Sequence, residues 1–524
     1  MPRKPKPKNT LSAGERAKLY EAELEEKQKR MRSADTESRE NTSAIADGAL
    51  TETKATGKAP EKVQKVKKAL PKPQKATVKV DLSIPVGEIK PLHGICNGPL
   101  SYGADLTGMF KEIGVPRVRF DGTDTPISGC AIDISRIFRS LDADPSDEAN
   151  YDFSYTDKYV TAARLTGAEI IYRIGESRDL LDPERALRRP KDLDTLARVC
   201  VNIIRHYNDR WANGFSLDIK YFELWSRDIW CRDSLDYDMD VYRRLANAVK
   251  LYSEDIKVGG LCFCEKVAEV GEFLRFCKKN HVPIDFLTID CFNSAPQKAI
   301  SYIHDVIKSV RNYGEEGLEV IIGKWAFIDS DGEGDSKNGV WDLLSRGGEA
   351  AEAIRKKIFS DRYSLKNAAF SAAFLLGLED LPDVSSAFAY DAQPVVSPFC
   401  GIADRSGEPA KQFYALKAFG ELYRKKHKVF CGVESPEGYA HSGIYAAAAV
   451  SDGGEALILV ASFDGCGTVD LRLDGIPDNL YTAEVFMLDG VKNMESSASV
   501  ALSGEQKRLV LNVSPFGVVA IKLF

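Results

Sequence analysis

Short apolar runs alternate with longer amphipathic stretches between residues 77 and 427. The apolar runs are rich in β-branched residues and predict eight strands, at His93–Cys96, Arg117–Phe120, Glu169–Ile174, Ile219–Trp225, Ile256–Gly260, Asp285–Ile289, Leu318–Trp325 and Val384–Ala389. Helical periodicity runs through the segments between them, which include Asp192–Asn208, Asp240–Ser253, Val267–Asn280, Pro296–Tyr313 and Leu365–Leu376. This α/β alternation predicts a TIM (β/α)8 barrel over residues 77–427.

The pattern changes after His427, where helical periodicity ends and short alternating runs follow. Turns rich in Gly and Asp separate the predicted strands, which are Ile444–Val450, Glu455–Ser462, Thr468–Leu473, Thr482–Phe486, Leu509–Val513 and Val518–Leu523. This pattern predicts a small β-sandwich over residues 428–524. The run Thr77–Leu82 alternates in the same way, so it is a candidate for one more strand of the sandwich.

Residues 1–76 have few large apolar side chains and many Lys, Glu, Ala, Thr and Pro residues. Such a composition buries too little surface to offset its ordering entropy, so we expect a mostly disordered tail. Ser12 and Glu15 form a capping box that predicts a local helix over residues 12–32. Residues 1–75 carry a net charge of +8, from 19 Lys+Arg and 11 Asp+Glu, whereas the rest of the chain carries −14. The tail is therefore either a solvated tether or a contact for nucleic acid or for an acidic surface of a protein partner.

Composition and motifs give no support to several other classes of protein. No apolar run is long enough to span a membrane, and none follows the basic N-terminus, so we expect a cytoplasmic protein. The six His residues are isolated and the 11 Cys residues are scattered, which predicts reduced core thiols, no metal site and no cofactor. The acidic barrel region argues against nucleic-acid binding by the barrel. The sequence leaves the oligomeric state open.

Candidate chemistry is sought at the carboxyl ends of the strands, where barrels of this kind carry their active sites. Strand 4 ends in Phe222-Glu223-Leu224-Trp225-Ser226-Arg227-Asp228, and strand 7 ends in Gly323-Lys324-Trp325. Four further motifs stand at compatible spacings, namely Asp-Phe-Ser-Tyr-Thr-Asp at 152–157, Lys-Val-Gly-Gly at 257–260, Val-Pro-Ile-Asp-Phe at 282–286 and Asn-Ala-Ala at 367–369. In this order, the strand-4 motif and these four resemble glycoside hydrolase family 39, the β-xylosidase and α-L-iduronidase family.

The resemblance implies a retaining mechanism that needs two carboxylates about 5 Å apart. The family's acid/base Glu corresponds to Arg227 in this chain, and its nucleophile Glu corresponds to Lys324. Three substrate-contacting positions of the family correspond to Asp121, Asp290 and Ala387. A guanidinium does not release a proton at neutral pH, and an ammonium group is not a carboxylate nucleophile. We therefore expect a pseudoglycosidase that binds a carbohydrate or a partner with little or no hydrolysis.

Two other functions remain open on the sequence. The chain could be an active retaining-type glycosidase, β-xylosidase-like or specific for an acidic sugar, in which displaced carboxylates carry the reaction. The candidates at the rim are Glu176, Asp121 and Asp290. Alternatively, the chain could be a structural or assembly protein that is recruited through residues 1–75.

The ligand of such a pocket can also be predicted from residue types. Two cations facing one cavity favour an anionic sugar, and aromatic side chains can form a floor under a sugar ring or simply belong to the core of the barrel. Strand alternation predicts that Glu223, Trp225 and Arg227 face the same way. The ligand-binding candidates are therefore Arg227, Lys324, Trp225, Trp325, Tyr172, Glu223 and Asp228.

Overall fold

The structure is a computed structural model of the 524-residue chain. It describes residues 75–101, 103–121, 132–138, 140–175, 192–226, 235–264, 266–314, 317–329, 348–395, 397–436, 441–465, 467–476, 481–502 and 507–524. These residues belong to one compact unit, Pro71–Phe524. The predicted tail helix at 12–32 lies outside the described residues.

The described elements include both strands and helices up to residue 425 and are strands alone after it. The strands are β1 (Lys75–Glu88), β2 (Gly94–Cys96), β3 (Leu100–Ser101), β4 (Ala104–Asp105), β5 (Arg117–Phe120), β6 (Glu169–Ile174), β7 (Tyr221–Ser226), β8 (Lys257–Cys264), β9 (Phe286–Asn293), β10 (Glu319–Phe327), β11 (Val384–Ala389), β12 (His427–Glu434), β13 (Ile444–Val450), β14 (Ala456–Phe463), β15 (Thr468–Asp474), β16 (Tyr481–Leu488), β17 (Asn493–Leu502), β18 (Arg508–Asn512) and β19 (Phe516–Leu523). The helices are α1 (Thr107–Ile113), α2 (Ile134–Ile137), α3 (Thr156–Leu165), α4 (Leu193–Asn208), α5 (Leu235–Tyr252), α6 (Val267–Asn280), α7 (Pro296–Asn312), α8 (Gly348–Asp361), α9 (Leu365–Leu378) and α10 (Lys411–Lys425).

Eight parallel strands close into a barrel in the order β2, β5, β6, β7, β8, β9, β10 and β11, with β11 pairing back onto β2. Each coincides with one of the eight strands expected from the apolar runs, and the TIM barrel prediction is confirmed. The strands β8, β9 and β10 run further toward their carboxyl ends than the sequence pattern indicates, to Cys264, Asn293 and Phe327. Their extra residues build up the mouth of the barrel.

The remaining long strands form one nine-stranded sheet in the order β17, β16, β19, β14, β13, β12, β1, β15 and β18. The first strand, β1, pairs antiparallel with β12 and parallel with β15 in the interior of this sheet. The sheet is curled, because side chains from its two ends share one core, for example Leu509 of β18 with Val485 of β16. The β-sandwich predicted for this region is therefore a single sheet that curls around a core.

The strand β14 joins the two parts of the molecule because both of its faces are buried. Leu457 and Leu459 pack into the core that includes the barrel helices, whereas Ile458 and Val460 face the core of the curled sheet. The helices α9 and α10 lie between the barrel and the sheet. Helix α9 has an almost wholly buried surface, which explains its apolar sequence. Among the described helices, none has the length and apolarity that a membrane crossing requires.

Candidate functional site

Charged side chains enter the interior of the barrel from five of its strands, toward their carboxyl ends. They are Arg119 and Asp121 from β5 and its end, Arg173 from β6, Glu223 from β7, Asp290 from β9 and Lys324 from β10, with Cys262 of β8 between the last groups. All except Lys324 are at most 3% exposed, and the side chain of Lys324 is 14% exposed. Because unpaired charges are costly to bury, their contacts with one another govern this site. We call these residues the barrel charge network.

Lys324 is the most accessible member of the barrel charge network. Its Nζ lies 2.8 Å from Oδ2 of Asp121 and 3.4 Å from Oδ2 of Asp290, its register partner on β9. It also lies 5.6 Å from the centroid of the Tyr390 ring. Burial alone would lower the pKa of Lys324, but the carboxylates of Asp121 and Asp290 hold it well above the usual value. Lys324 is therefore a fixed cation that two carboxylates neutralise.

Asp121 is surrounded by three cations. Besides Lys324, the Nη1 of Arg119 lies 3.2 Å from its Oδ2 and the Nε of Arg173 lies 3.2 Å from its Oδ1. Its backbone N–H donates to the side-chain oxygen of Asn97 at 2.9 Å. Burial by itself would raise the pKa of Asp121, but Arg119, Lys324 and Arg173 together hold it well below the usual range. Asp121 is thus a permanent anion and a poor proton donor.

Arg119 and Glu223 form a bidentate ion pair in the interior of the barrel. The Nε of Arg119 donates to Oε2 of Glu223 at 2.9 Å, and its Nη2 donates to Oε1 at 2.7 Å. Both side chains are fully buried. Arg119 also donates to the backbone carbonyl of Gly323 at 3.3 Å. Glu223 is therefore occupied by a structural contact below the mouth of the barrel, and it is not free to act on a ligand.

Arg173 connects the network to the segment that follows β5. Its Nη2 donates to Oδ1 of Asp133 at 2.9 Å, while its Nε faces Asp121. Arg119, Arg173 and Asp133 were not among the site residues predicted from the sequence. Two of these residues could have been found from the sequence, because each is an arginine within a predicted buried parallel strand, where charged residues are rare.

Two aspartates at the mouth hold protons more tightly than exposed carboxyls do. Asp290 accepts a hydrogen bond from Sγ of Cys262 at 2.9 Å, and burial raises its pKa to about 6 although Lys324 and Arg119 oppose the shift. Asp391 follows β11, and burial raises its pKa to about 7. Both groups can therefore change protonation state near neutral pH.

Several buried polar atoms near these aspartates have no hydrogen-bond partner among the described residues. They are Nη1 of Arg173, Oγ1 of Thr288 and Oε1 of Gln393. Buried polar atoms normally find a partner, in the protein or in bound water. Both a donor and acceptors therefore remain unsatisfied by the described side chains of this region. In the part of the chain that the structure describes, no three His, Cys, Asp or Glu side chains are grouped so as to hold a metal ion.

Two aromatic candidates point away from the interior of the barrel. Trp325 is fully buried and packs against Phe370 and Phe374 of α9, at ring-centroid distances of 6.3 and 5.4 Å. Tyr172 is fully buried against Phe120, Tyr207 and Phe222. Their neighbours Lys324 and Arg173 face inward, so strand alternation directs these rings toward the helices. Of the two roles that the sequence left open for these rings, a floor under a sugar or a place in the core, their packing corresponds to the core, on the outer side of the barrel.

The expectation that Glu223 and Trp225 face the same way is wrong. Trp225 has a positive φ of 60°, and the pairing of β7 with β8 shifts register between Leu224 and Ser226. This bulge breaks the alternation. The indole N–H of Trp225 donates to Oδ1 of Asp238 on α5 at 3.1 Å, so the ring is directed toward that helix.

The structure brings Lys324, Asp121 and Asp290 together at the mouth and places Glu223 beneath them. Ala387 is fully buried in β11. Three predicted site residues, Arg227, Asp228 and Glu176, lie outside the described residues.

Comparisons with known proteins find similarities to glycosidases. No protein-family model matches the chain. A stretch of 181 residues is 24% identical to a β-xylosidase of Geobacillus stearothermophilus, and it covers 31% of this chain and 35% of that enzyme. The match therefore spans about a third of the length of this relative.

Solved structures match over most of the chain. A glucosidase from Croceicoccus marinus matches with a TM-score of 0.66 and 21% identity, over 86% of this chain and 98% of that one. A family 39 enzyme from Xanthomonas axonopodis pv. citri matches with a TM-score of 0.60 and 16% identity, over 85% and 97%. A β-xylosidase from Caulobacter crescentus matches with a TM-score of 0.58 and 15% identity, over 85% and 99%. The chain therefore has a glycosidase fold like that of glycoside hydrolase family 39.

Proposed function

We propose that this chain is a pseudoglycosidase, a protein that binds a carbohydrate at the mouth of a glycosidase barrel with little or no hydrolysis. One observation carries the proposal. Lys324, which the family resemblance assigns to the nucleophile position, is an ammonium group in contact with Asp121 and Asp290. A cation and its two counter-charges thus occupy the part of the site where a retaining enzyme needs a free carboxylate.

Lys324 stands at the position of the nucleophile, and its positive charge also opposes the reaction. The transition state of glycoside hydrolysis resembles an oxocarbenium ion and carries positive charge. A unit charge about 5 Å from that centre raises its energy by roughly 3 kcal/mol at an effective dielectric near 20. The neighbouring carboxylates offset part of this repulsion. Arg227, at the position of the acid/base in the resemblance, would add a second cation.

The other carboxylates are poorly suited to take over the missing roles. Asp121 is bound by three cations, which lower both its basicity and its nucleophilicity. Glu223 is held in the bidentate pair with Arg119 and is fully buried. Reassigning either group to catalysis would require breaking a buried ion pair, which typically costs several kcal/mol.

The described part of the site favours a ligand recognised by its hydroxyl groups over one recognised by its charge. The cations Arg119, Arg173 and Lys324 already face carboxylates in the described residues. The buried atoms without partners, on Arg173, Thr288 and Gln393, match the mixed donor and acceptor character of sugar hydroxyls. Selection for an acidic sugar would therefore depend on Arg227.

The test is hydrolysis of a panel of aryl glycosides (β-xyloside, α-iduronide, β-glucoside and β-glucuronide). The wild type is compared with the Arg227→Glu/Lys324→Glu double variant and with Lys324→Gln, which removes the charge without supplying a nucleophile. We expect no turnover by the wild type or by Lys324→Gln, and calorimetric binding of the parent sugars by the wild type. Robust wild-type turnover of any of these glycosides would overturn the proposal.

A second candidate function, an active glycosidase with a displaced acid, is favoured by one observation. The raised pKa of Asp290, about 6, suits a general acid near neutral pH. If the wild type hydrolyses a glycoside and Asp290→Asn abolishes that activity with sugar binding retained, this candidate replaces the pseudoglycosidase. If Asp290→Asn leaves the rate unchanged, Asp290 is not the acid.

A further inference from the structure

A groove of about 720 Å³ lies on the outer surface of the barrel, between helices α4 and α5. Four arginines line it, Arg198 and Arg205 from α4 and Arg243 and Arg244 from α5. We call it the arginine groove. Among the described residues of its lining, Asp194 is the one acidic side chain. This concentration of positive charge stands out on a body whose sequence outside the tail carries a net charge of −14.

The arginines of the groove are unequally neutralised. Arg244 pairs with Asp194 at 2.9 Å, and Arg243 pairs with Asp240 of its own helix. Arg198 donates to the hydroxyl of Thr195 at 3.2 Å, and Arg205 donates to the side-chain oxygen of Asn202 at 3.1 Å. Neither makes an ion pair with a carboxylate in the described part of the chain.

The carboxylates near Arg198 interact with it only weakly. Hydrogen bonds from Ser146 and Thr195 are the main causes that lower the pKa values of Asp144 and Asp192, and Arg198 contributes only a weak field to each. Each guanidinium has five N–H donors. Arg198 and Arg205 therefore retain donors for a further acceptor.

Apolar side chains form part of the lining of the arginine groove, and we call this part its floor. Ala197 and Val201 of α4 and Ala248 and Leu251 of α5 line it together with Trp211. Leu251 is 90% exposed, the highest value among the exposed large apolar side chains. The residues repeat at helical spacing, with Ala197, Val201 and Arg205 one turn apart along α4. The two helices thus present an apolar stripe whose rows also carry arginines, since Arg205 follows Val201 by one turn and Arg244 precedes Ala248 by one turn.

We propose that the arginine groove docks an acidic amphipathic helix of a protein partner. The apolar face of such a helix would cover Leu251 and the alanines of the floor, as in other helix-in-groove complexes. Its Glu and Asp side chains would meet Arg198 and Arg205, whose planar guanidinium groups bind carboxylates bidentately. An anionic polysaccharide would satisfy the arginines but would leave the aliphatic floor exposed to water, so the apolar stripe favours the peptide.

The test uses a fluorescein-labelled peptide of about five helical turns, roughly 18 residues. Leu residues form one face of the peptide and Glu residues flank them, while a matched peptide has Gln in place of every Glu. Titration of the full-length protein, followed by fluorescence anisotropy, should show binding of the Glu peptide that weakens with added salt. The Gln peptide should bind at least about tenfold more weakly. Equal binding of the two peptides, or no binding of either, would overturn the proposal.

Variants locate the binding on the groove. Arg198→Gln/Arg205→Gln and, separately, Leu251→Asp should each weaken binding of the Glu peptide at least about tenfold. The matched control is Lys111→Gln/Lys308→Gln, which removes two exposed charges elsewhere on the barrel and should leave the affinity within about twofold. Thermal melts monitored by circular dichroism check that each variant folds. Binding that the groove variants leave unchanged refutes the site. Groove-dependent binding of sodium polygalacturonate without binding of the Glu peptide refutes the peptide and assigns the groove to an anionic glycan.

Discussion

Lys324 of β10 and Asp121 at the end of β5 approach within 2.8 Å of each other across the interior of the barrel. The pair joins strands that are not neighbours in the barrel. It is linked to Arg119, Arg173 and Asp290, so each charge has more than one partner. Such a network stabilises the fold only while its charges remain matched.

Replacing Lys324 by Met should lower the free energy of unfolding at pH 7 by about 3–5 kcal/mol, because Asp121 and Asp290 lose their shared cation. The loss should be smaller at pH 5, where Asp290, with a pKa already raised to about 6, is protonated. Urea unfolding at the two pH values measures both effects. The control Lys417→Met breaks an exposed ion pair with Glu112 and should cost less than about 1 kcal/mol. Equal losses in the two variants would contradict the prediction.

Replacing Asp391 by Asn should stabilise the protein above pH 7 and have little effect near pH 4. The pKa of Asp391 is raised from 3.8 to about 7 by burial. Between these values the folded state keeps a proton that the unfolded state has lost, so the contribution of Asp391 to stability falls as the pH rises from about 4 to about 7. Asn removes this loss, and we expect a gain of roughly 2–4 kcal/mol at pH 8 in urea unfolding. A gain that is the same at pH 4 and pH 8 would show that Asp391 does not titrate in this range.

Replacing Glu223 by Gln should destabilise the protein by about 2–4 kcal/mol, because Arg119 loses its bidentate counter-charge in a fully buried position. Chemical denaturation at pH 7 measures the change. The matched control is Glu169→Gln, whose carboxylate is 64% exposed and pairs with Arg117. The control should cost less than about 1 kcal/mol. A similar cost for both variants would mean that the buried pair contributes no more than a surface pair.

Replacing Trp325 by Ala should lower stability by about 3–5 kcal/mol through loss of packing against Phe370 and Phe374. The more conservative Trp325→Phe should fold and should bind sugars as tightly as the wild type, because the ring faces α9 instead of the mouth of the barrel. Thermal melts and calorimetric sugar titrations test the two expectations. A loss of sugar affinity in a well-folded Trp325→Phe variant would show that the ring contacts the ligand.

The fold could be predicted from the sequence because its signals are local. Each buried parallel strand is a short β-branched run, and each outer helix has one apolar face, so both can be recognised without knowing the partner. The resemblance to family 39 is likewise confirmed as a likeness of fold. The bounds of the strands were harder to predict than their existence. Thr77–Leu82 was expected as a candidate strand, whereas β1 extends over Lys75–Glu88 because β12 and β15 supply pairing partners.

The site was less predictable, because side-chain directions depend on register. Strand alternation assigned Trp225 to the inner face, but a bulge at that residue turns its ring toward α5. Arg173 faces the interior of the barrel, and strand alternation then directs its neighbour Tyr172 outward. This direction could not be predicted from the sequence, because a buried arginine in a strand is not expected. Arg119 is stabilised by Glu223, and Arg173 by Asp133. These partners are distant in the sequence, so no local sequence pattern predicts them.

The position of β1 in the curled sheet also bears on how the chain is made. During synthesis this strand emerges before the whole barrel, yet its neighbours β12 and β15 follow the barrel in the sequence. It must therefore remain unpaired until almost the entire polypeptide has left the ribosome, and closing so long a loop is a slow step in folding. A variant shortened at its N-terminus would keep this strand only if the cut fell before Lys75. A cut beyond it would leave β12 and β15 without the strand that joins them, and would expose the unpaired edges on which nascent chains aggregate.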